Sequence, residues 1–439
     1  MKTNSQKKTV QILVAGWHSR LDALVSELEA QKSAGKTIEV VILDTIEPDT
    51  VQNAEAQCLI LYTGALPDGT SLQDTLAHLR QACPRTAHSI IITDTDTEAE
   101  IARTLYHDTA VVISQESLYI RIAAQTARQT GLAEVYEELI SFAGNDVYTV
   151  PAGSLAGLPY SRTLRFYENA CIAGIISRGI VRLNPPMNTL IQKDDLLILI
   201  AQNLETITES PAILPAPDIT VISKTAVTTK RAESFLVFGW NRFCNRLLQE
   251  LSHYTGDGSS VRVIANKSVS IPAIQRLQTT VEQLDIISRN VLESIVYEYY
   301  ENIIVVDNET LHEQVQSVLN ERGLANNVVF FKNPLAQDAQ TKRIFKLAAQ
   351  AALHPTTAAV FSDLTNPEGA EIYLKPAGNY IEIDTDTDFY TIIESARRLN
   401  ETAIGYILHE TGDIVINPAK DKKNRFYHFD KIIVLADEH

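Results

Sequence analysis

The stretch Val10-Gln11-Ile12-Leu13-Val14-Ala15-Gly16-Trp17 is a run of β-forming apolar residues that stops on a glycine, and the chain returns to it as Ser234-Phe235-Leu236-Val237-Phe238-Gly239-Trp240-Asn241. A strand running straight into a glycine turn is how an open α/β sheet begins. A second signature closes each half. The first copy is Ala173-Gly174-Ile175-Ile176, Val181, Asn184-Pro185 and Asp194 ahead of Leu196-Leu197-Ile198-Leu199-Ile200-Ala201. The second is Ile404-Gly405-Tyr406-Ile407, Val415, Asn417-Pro418 and Asp430 ahead of Ile432-Ile433-Val434-Leu435-Ala436. Since 223 residues separate Gly16 from Gly239 and 233 separate Asn184 from Asn417, one two-part unit has been duplicated. A repeat that long is a pair of domains, not a solenoid module.

Around the first glycine the pattern alternates. Apolar runs at 10–15, 38–43, 58–62, 89–93 and 110–113 are separated by helical periodicity at 21–31, 72–82 and 98–106. Near-continuous apolar strands joined by helices predict a parallel sheet covered on both faces, hence a doubly wound, Rossmann-like lobe over residues 1–145. A long helix is expected over 117–142. Short strands at 147–150, 170–177, 179–182 and 196–201 then predict a small α+β cap, residues 146–204. Residues 205–230, with Pro211, Pro215 and Pro217, read as a linker. The second half repeats the plan, with strands expected at 235–238, 261–265, 281–286, 303–306 and 328–331 and a helix at 337–353. That gives a second Rossmann-like lobe over 231–367 and a second cap over 368–439.

Composition narrows the function. The formal net charge of −16 argues against nucleic acid as a partner, because a phosphate backbone needs a Lys/Arg surface. No apolar run approaches the ~20 residues that span a bilayer. The polar start, Met1 to Lys8, lacks the apolar core of a signal peptide, and a cytoplasmic location is expected. The cysteines Cys58, Cys83, Cys171 and Cys244 have no metal-ligand spacing and read as reduced thiols.

Candidate chemistry lies at the strand ends. A dinucleotide loop needs three glycines, so that backbone approaches the pyrophosphate closely. Only Gly16 and Gly239 are present, and Trp17 and Trp240 stand beside them. Asp44, at the end of the second strand, sits where a carboxylate would bind a ribose hydroxyl, or it caps a helix; Asn266 is its counterpart. From the carboxyl ends of the strands, the expected ligand positions are Gly16, Trp17, Asp44, Thr63 and Gly64 in the first half. In the second they are Gly239, Trp240, Asn241, Asn266 and Asp307.

Asp94, Asp96 and Glu98 have two readings: oxygen ligands for a hard cation such as Ca2+, or capping and dipole-complementing acids at the start of a helix. Asp384, Asp386 and Asp388 have the same two. No nucleophile–base, zinc or P-loop motif occurs, so no catalytic residue is assigned and a non-enzymatic role is expected. Single histidines such as His18, His107, His253 and His312 read as surface or core residues. Asn184-Pro185 and Asn417-Pro418 read as turns that mark the repeat.

The glycine–tryptophan turns do not stand alone. They are joined by Ala127-Arg128-Gln129-Thr130-Gly131-Leu132-Ala133 leading to Tyr136-Glu137-Glu138, and by Ile404-Gly405-Tyr406 with Val415-Ile416-Asn417-Pro418. In this order, over essentially the whole chain, the sequence resembles the tandem RCK regions of CASTOR/POLLUX-type ion channels and their prokaryotic relatives. The resemblance implies two tandem RCK units, each a Rossmann-like lobe followed by a cap. It implies a ring of four chains, a homotetramer, beneath a membrane pore that is part of the same full-length chain or a separate subunit. It also implies coupling of ion or nucleotide binding to pore opening, and helices 117–142 and 337–353 as unit-to-unit interfaces. The chain departs from the family in carrying no pore helices. Two ligand classes stay open, Ca2+ and NAD(H) or an adenine nucleotide. A soluble nucleotide-binding regulator that acts without a pore is the alternative function, and an NAD-dependent oxidoreductase has only the fold in its favour.

Overall fold

The computed structural model describes residues 9–33, 38–43, 56–82, 88–140, 144–207, 216–223, 232–284, 287–324, 326–333, 339–354, 356–365 and 369–437. Its contacts divide into two compact units that do not follow the linear order. Unit 1 is Met1–Tyr119, Leu139–Gly144 and Pro334–Ser362; unit 2 is Ile120–Glu138, Asn145–Asn333 and Asp363–His439.

Unit 1 begins with β1 (Val10–Ala15), α1 (Asp22–Ser33), β2 (Ile38–Leu43), β3 (Cys58–Tyr62), α2 (Leu72–Ala82), β4 (His88–Thr93), α3 (Asp96–Tyr106) and β5 (Ala110–Ser114). The strands are parallel in the order β2-β1-β3-β4-β5, as the unbroken apolar runs require. Leu13, Leu59, Leu61 and Ile91 face Leu76, Leu79, Ala102 and Tyr106 of α2 and α3, a core where each buried large side chain contributes roughly 1.5–3 kcal/mol.

Helix 117–142 was expected to be continuous. The chain instead forms α4 (Gln115–Thr126) and α5 (Leu132–Ile140), broken at Gly131, whose φ of +95° no helix accommodates.

Unit 2 continues with the first cap: β6 (Asp146–Pro151), β7 (Ala170–Ser177), β8 (Ile180–Leu183) and β9 (Leu196–Ala201), antiparallel in the order β6-β9-β7-β8. The second parallel sheet has β10 (Ser234–Phe238), α6 (Cys244–Tyr254), β11 (Ser259–Ala265), β12 (Leu277–Gln283), β13 (Asn302–Val306), α7 (Glu309–Glu321) and β14 (Asn327–Phe331). Its order is β12-β11-β10-β13-β14. β12 starts at Leu277 and not at Val281, because Thr279 and Thr280 pair with β11 along a half-exposed edge where apolar residues are not required.

Two helices follow β14. α8 (Ala339–Leu353) belongs to unit 1, where it packs on α1 and on the β3–β5 side of the sheet; α9 (Thr356–Leu364) comes next. Buried Ala348, Ala349, Ala351 and Ala352 let α8 lie close to its neighbours. The second cap has β15 (Glu371–Pro376), β16 (Asp386–Asp388), α10 (Phe389–Arg398), β17 (Thr402–Ile407), β18 (Ile414–Ile416), β19 (Lys423–Arg425) and β20 (Lys431–Ala436). Its main sheet, β15-β20-β17-β18, reproduces the first cap. The copy extends to irregularities: the register slips between Ile172 and Gly174 in β7 and between Ala403 and Gly405 in β17. Part of the expected linker joins this cap, since Ile222 bridges Ile381 and Ser223 N donates to the Tyr380 carbonyl.

Candidate ligand crevices

In unit 1 the strand order reverses direction between β1 and β3, and an open α/β sheet binds ligands beyond the carboxyl ends of its strands at such a point. Gly16 ends β1 with φ +79°, its N–H donating to the Leu43 carbonyl at 3.0 Å. Trp17 is 44% exposed. Asp44 lies outside the described residues.

The polar groups of this crevice are bound to one another. Arg20 extends from the turn after β1 and donates to the Tyr62 hydroxyl at 2.7 Å and to Asp94 Oδ1 at 3.1 Å. The same Asp94 oxygen accepts from Tyr62 at 2.7 Å and from Gln115 Nε2 at 2.5 Å. Burial, with the Asp94 carboxylate beside it, pushes the Tyr62 hydroxyl far above its ordinary range, so it stays protonated and donates. Its ring stands edge-on to His18 and Phe345. Gly64 is glycine for this ring: a Cβ there would lie 2.4 Å from Tyr62 Cζ.

The acidic run serves chiefly as a helix start. Thr95 caps α3 by accepting from Glu98 N at 3.3 Å. Glu98 reaches back to the Asp94 amide at 3.1 Å and accepts from Thr63 Oγ1 at 2.6 Å. Asp96 turns to Ser114 and Ser117, whose hydroxyls donate to it at 2.5 and 2.6 Å. The three carboxylates therefore face different partners, and among the described residues no group of His, Cys, Asp or Glu is spaced to hold a metal ion. In the other acidic run Asp388 caps α10, accepting from Thr391 N at 2.8 Å, while Asp386 pairs with Arg425.

The second crevice lies at β10 and β13. Gly239 has φ +86°, and a Cβ there would approach the Val306 carbonyl to 2.9 Å, so close strand approach fixes this glycine. Asn241 Nδ2 donates to Asp307 Oδ2 at 2.9 Å, and Asp307 Oδ1 accepts from Asn333 N at 2.9 Å. The fold thus brings Gly239, Asn241 and Asp307 together. Trp240 stands half-exposed beside them, and Asn266 is exposed at the end of β11. Among the described residues, neither crevice shows the glycine-lined cradle for a pyrophosphate that its sheet topology would allow.

Other polar groups within unit 2 carry more of its organisation than the motifs alone suggest. Arg128, between α4 and α5, pairs with Glu233 at 2.9 Å and stands 3.8 Å from Glu371 on β15. Gln129 seals the β15 edge, donating to the Ile372 carbonyl at 3.0 Å and accepting from Leu374 N at 2.8 Å.

A family described as Castor and Pollux, part of voltage-gated ion channel, matches residues 116–216, which contain Arg128 and the first cap. The probable ion channel POLLUX of Arabidopsis thaliana is 21% identical over 97% of this chain. The probable ion channel CASTOR of Oryza sativa subsp. japonica is 21% identical over 72%. The chain resembles CASTOR/POLLUX-type ion channels. It spans 64% of that POLLUX and 43% of that CASTOR. Among solved structures, the human SLO3 gating ring aligns with 98% of this chain and 99% of its own, at a TM-score of 0.57 and 10% identity. The fold is therefore that of two tandem RCK units, each a Rossmann-like parallel sheet followed by a small α+β cap. Among the described residues no helix is long and apolar enough to cross a membrane.

Proposed function

We propose that the chain is a ligand-sensing gating-ring region that regulates a cation channel or transporter, coupling the binding of an ion or nucleotide to pore opening. The observation that carries this is the end-to-end likeness to the SLO3 gating ring, in which both copies of sheet and cap take part. The resemblance to channels of the CASTOR and POLLUX type supports the same reading. A ring of this kind acts without catalysing a reaction: its ligand shifts a pore by binding one ring shape more tightly than another.

On this reading four chains assemble on the cytoplasmic side of a membrane pore, which is part of the same full-length protein or a separate subunit. The sensing units are lobe 1–145 with cap 146–204 and lobe 231–367 with cap 368–439, joined by 205–230. Ca2+ and NAD(H) or an adenine nucleotide are the ligand classes to test. The crevice residues of each sheet are the first positions to probe, Asp44 among them.

The test pairs the assembly mass of the 48.7 kDa chain by light scattering with its unfolding midpoint in Ca2+, in chelator, and with NAD, NADH, ATP or AMP. A ligand at ~100-fold excess over its Kd stabilises the native state by about 2.7 kcal/mol. Four-chain assemblies whose midpoint moves with one ligand class support the proposal. A chain that stays monomeric at all concentrations, binds NAD tightly and reduces a substrate overturns it.

A further inference from the structure

The duplicated Asn-Pro turn ends differently in the two caps. Three residues after Asn184 stands Met187, whose carbonyl accepts from Ser161 N at 3.0 Å. Three residues after Asn417 stands Lys420, whose carbonyl accepts from Tyr390 N at 3.2 Å. One backbone frame thus carries an apolar side chain in one cap and an amine in the other. The turn itself does not need the lysine.

Lys420 is only 2% exposed, and its Nζ reaches across the cap pair to donate to the Tyr167 and Ala170 carbonyls. Among the described residues no carboxylate pairs with it. Burial pushes the neighbouring Cys171 thiol up, so it stays protonated and supplies no counter-charge. The two carbonyls use both N–H groups of a neutral amine and leave its lone pair free, whereas a buried ammonium would carry a third N–H without an acceptor. Burial also draws the Lys420 amine below the ordinary lysine range, with Cys171 and Glu168 only partly opposing it.

This amine belongs to the wall of a cavity of about 650 Å3 between the caps, lined also by Glu168, Asn169, Tyr390, Asn417 and Asp421. Glu168 and Asn169 lie in the chain between the two residues whose carbonyls hold Nζ. Both carboxylates are exposed at its edge, and they disfavour an anionic occupant. A desolvated lysine is a nucleophile toward carbonyl carbon.

We propose that Lys420 is a covalent binding site for a small neutral aldehyde, taken up from the inter-cap cavity as an imine. Nζ bonds to the carbonyl carbon as the C=O π pair moves to oxygen. A proton passes from nitrogen to that oxygen, and loss of water leaves the C=N bond. Nothing is oxidised or reduced, and hydrolysis reverses the step. A protonated imine keeps one N–H where the amine has two, so occupancy removes one of the two bonds from Lys420 to the first cap. The inference stands independently of the channel reading.

The experiment treats the full chain with propanal and cyanoborohydride at pH 7.5, which fixes the imine as a secondary amine for peptide mapping by mass spectrometry. An ordinary lysine is about 0.1% neutral at that pH, so Lys420 should be trapped at least about tenfold more than the exposed Lys422 and Lys423. Gln202→Trp narrows the cavity from its exposed wall and should lower trapping at Lys420 severalfold while Lys422 is unchanged. Lys420→Met, which installs the side chain of the sister turn, should fold and lower total uptake at limiting propanal. Glyoxylate, which carries a carboxylate, should show a smaller preference for Lys420 than propanal does. Trapping at Lys420 no greater than at Lys422 in the folded parent overturns the proposal. Trapping that Gln202→Trp leaves unchanged overturns uptake through the cavity, and an equal preference for glyoxylate overturns the neutral ligand.

Discussion

Asn184 of the first cap donates its Nδ2 to the Asn400 carbonyl of the second at 3.0 Å, and Asn417 of the second donates to the Asn169 carbonyl of the first at 2.8 Å. The two asparagines hold equivalent places after β8 and β18, and both adopt left-handed backbone, with φ of +41° and +50°. The duplicated turn is therefore also a reciprocal clasp between the caps. Thr402 strengthens one side by donating to Asn184 Oδ1 at 2.8 Å. Asparagine suits both jobs, since it tolerates left-handed φ and carries a donor and an acceptor.

From this, Asn184→Ala and Asn417→Ala should each destabilise the paired caps by about 2–3 kcal/mol, through lost hydrogen bonds and left-handed strain. Asn→Gly at the same positions relieves the strain and should cost less. Denaturant midpoints of the four variants decide it; equal losses for Ala and Gly would remove the backbone part of the argument.

Gly174 and Gly405 make a second matched pair. A Cβ on either would lie 2.3 Å from a carbonyl oxygen of the neighbouring strand, Arg182 or Val415, at the register slip each cap carries. Gly174→Ala and Gly405→Ala should therefore each cost about 2–3 kcal/mol, since neither contact involves a side chain that can swing away. Hydrogen exchange should report the loss first in β7–β8 for one variant and in β17–β18 for the other.

His88 makes unit 1 acid-sensitive. Burial at the start of β4 pulls its imidazole below the ordinary value of 6.5, and the nearby Ala351, Ala352 and Gln57 backbone groups only partly offset this. Because the folded value is the lower one, the unfolded chain binds more protons between the two values. Stability must then rise with pH through that window and fall as pH drops below about 6.5. His88→Gln should flatten the pH dependence of the unit 1 unfolding midpoint between pH 5 and 7; a variant with the parent slope would assign that slope elsewhere.

The architecture was legible because each cue was local. Apolar runs such as Cys58–Tyr62, fully buried in β3, mark parallel strands, and the Gly-Trp and Asn-Pro pairs mark the duplication. The crevice positions followed from topology, which fixes where strand ends lie. What occupies them did not follow, because Arg20, Tyr62 and Gln115 meet only after the four crossovers from β1 to β5 have set their strands side by side. Tyr62 and Gln115 had a visible signal, since both stand at the carboxyl ends of strands. Arg20 had only its place in the turn after β1. The assignment of α8 to unit 1 is equally non-local, as its helical pattern is the same whichever sheet it covers. Arg128 and Gln129 were visible as a motif, yet their work consists of contacts with Glu233 and β15, far along the chain.

Arg128 carries the largest predicted single loss in unit 2. Burial is the largest single influence and opposes its charge, but Glu233, Tyr373 and Glu371 together outweigh it, and the guanidinium is held above its ordinary range. It also lies 5.8 Å over the Tyr254 ring. Arg128→Met leaves Glu233 buried without its cation, which for such pairs costs about 3–5 kcal/mol. Since the pair is buried, added salt should change that loss little. The stranded carboxylate supplies a sharper test. In Arg128→Met its pKa must rise, so the deficit should shrink as pH falls and Glu233 takes up a proton. Arg128→Met/Glu233→Gln should recover part of the loss at neutral pH, short of all of it because Asn302 donates to Glu233 at 3.1 Å and Arg128 also faces Glu371. A double variant no more stable than Arg128→Met alone would mean that the guanidinium acts through packing on Tyr254 and not through its charge.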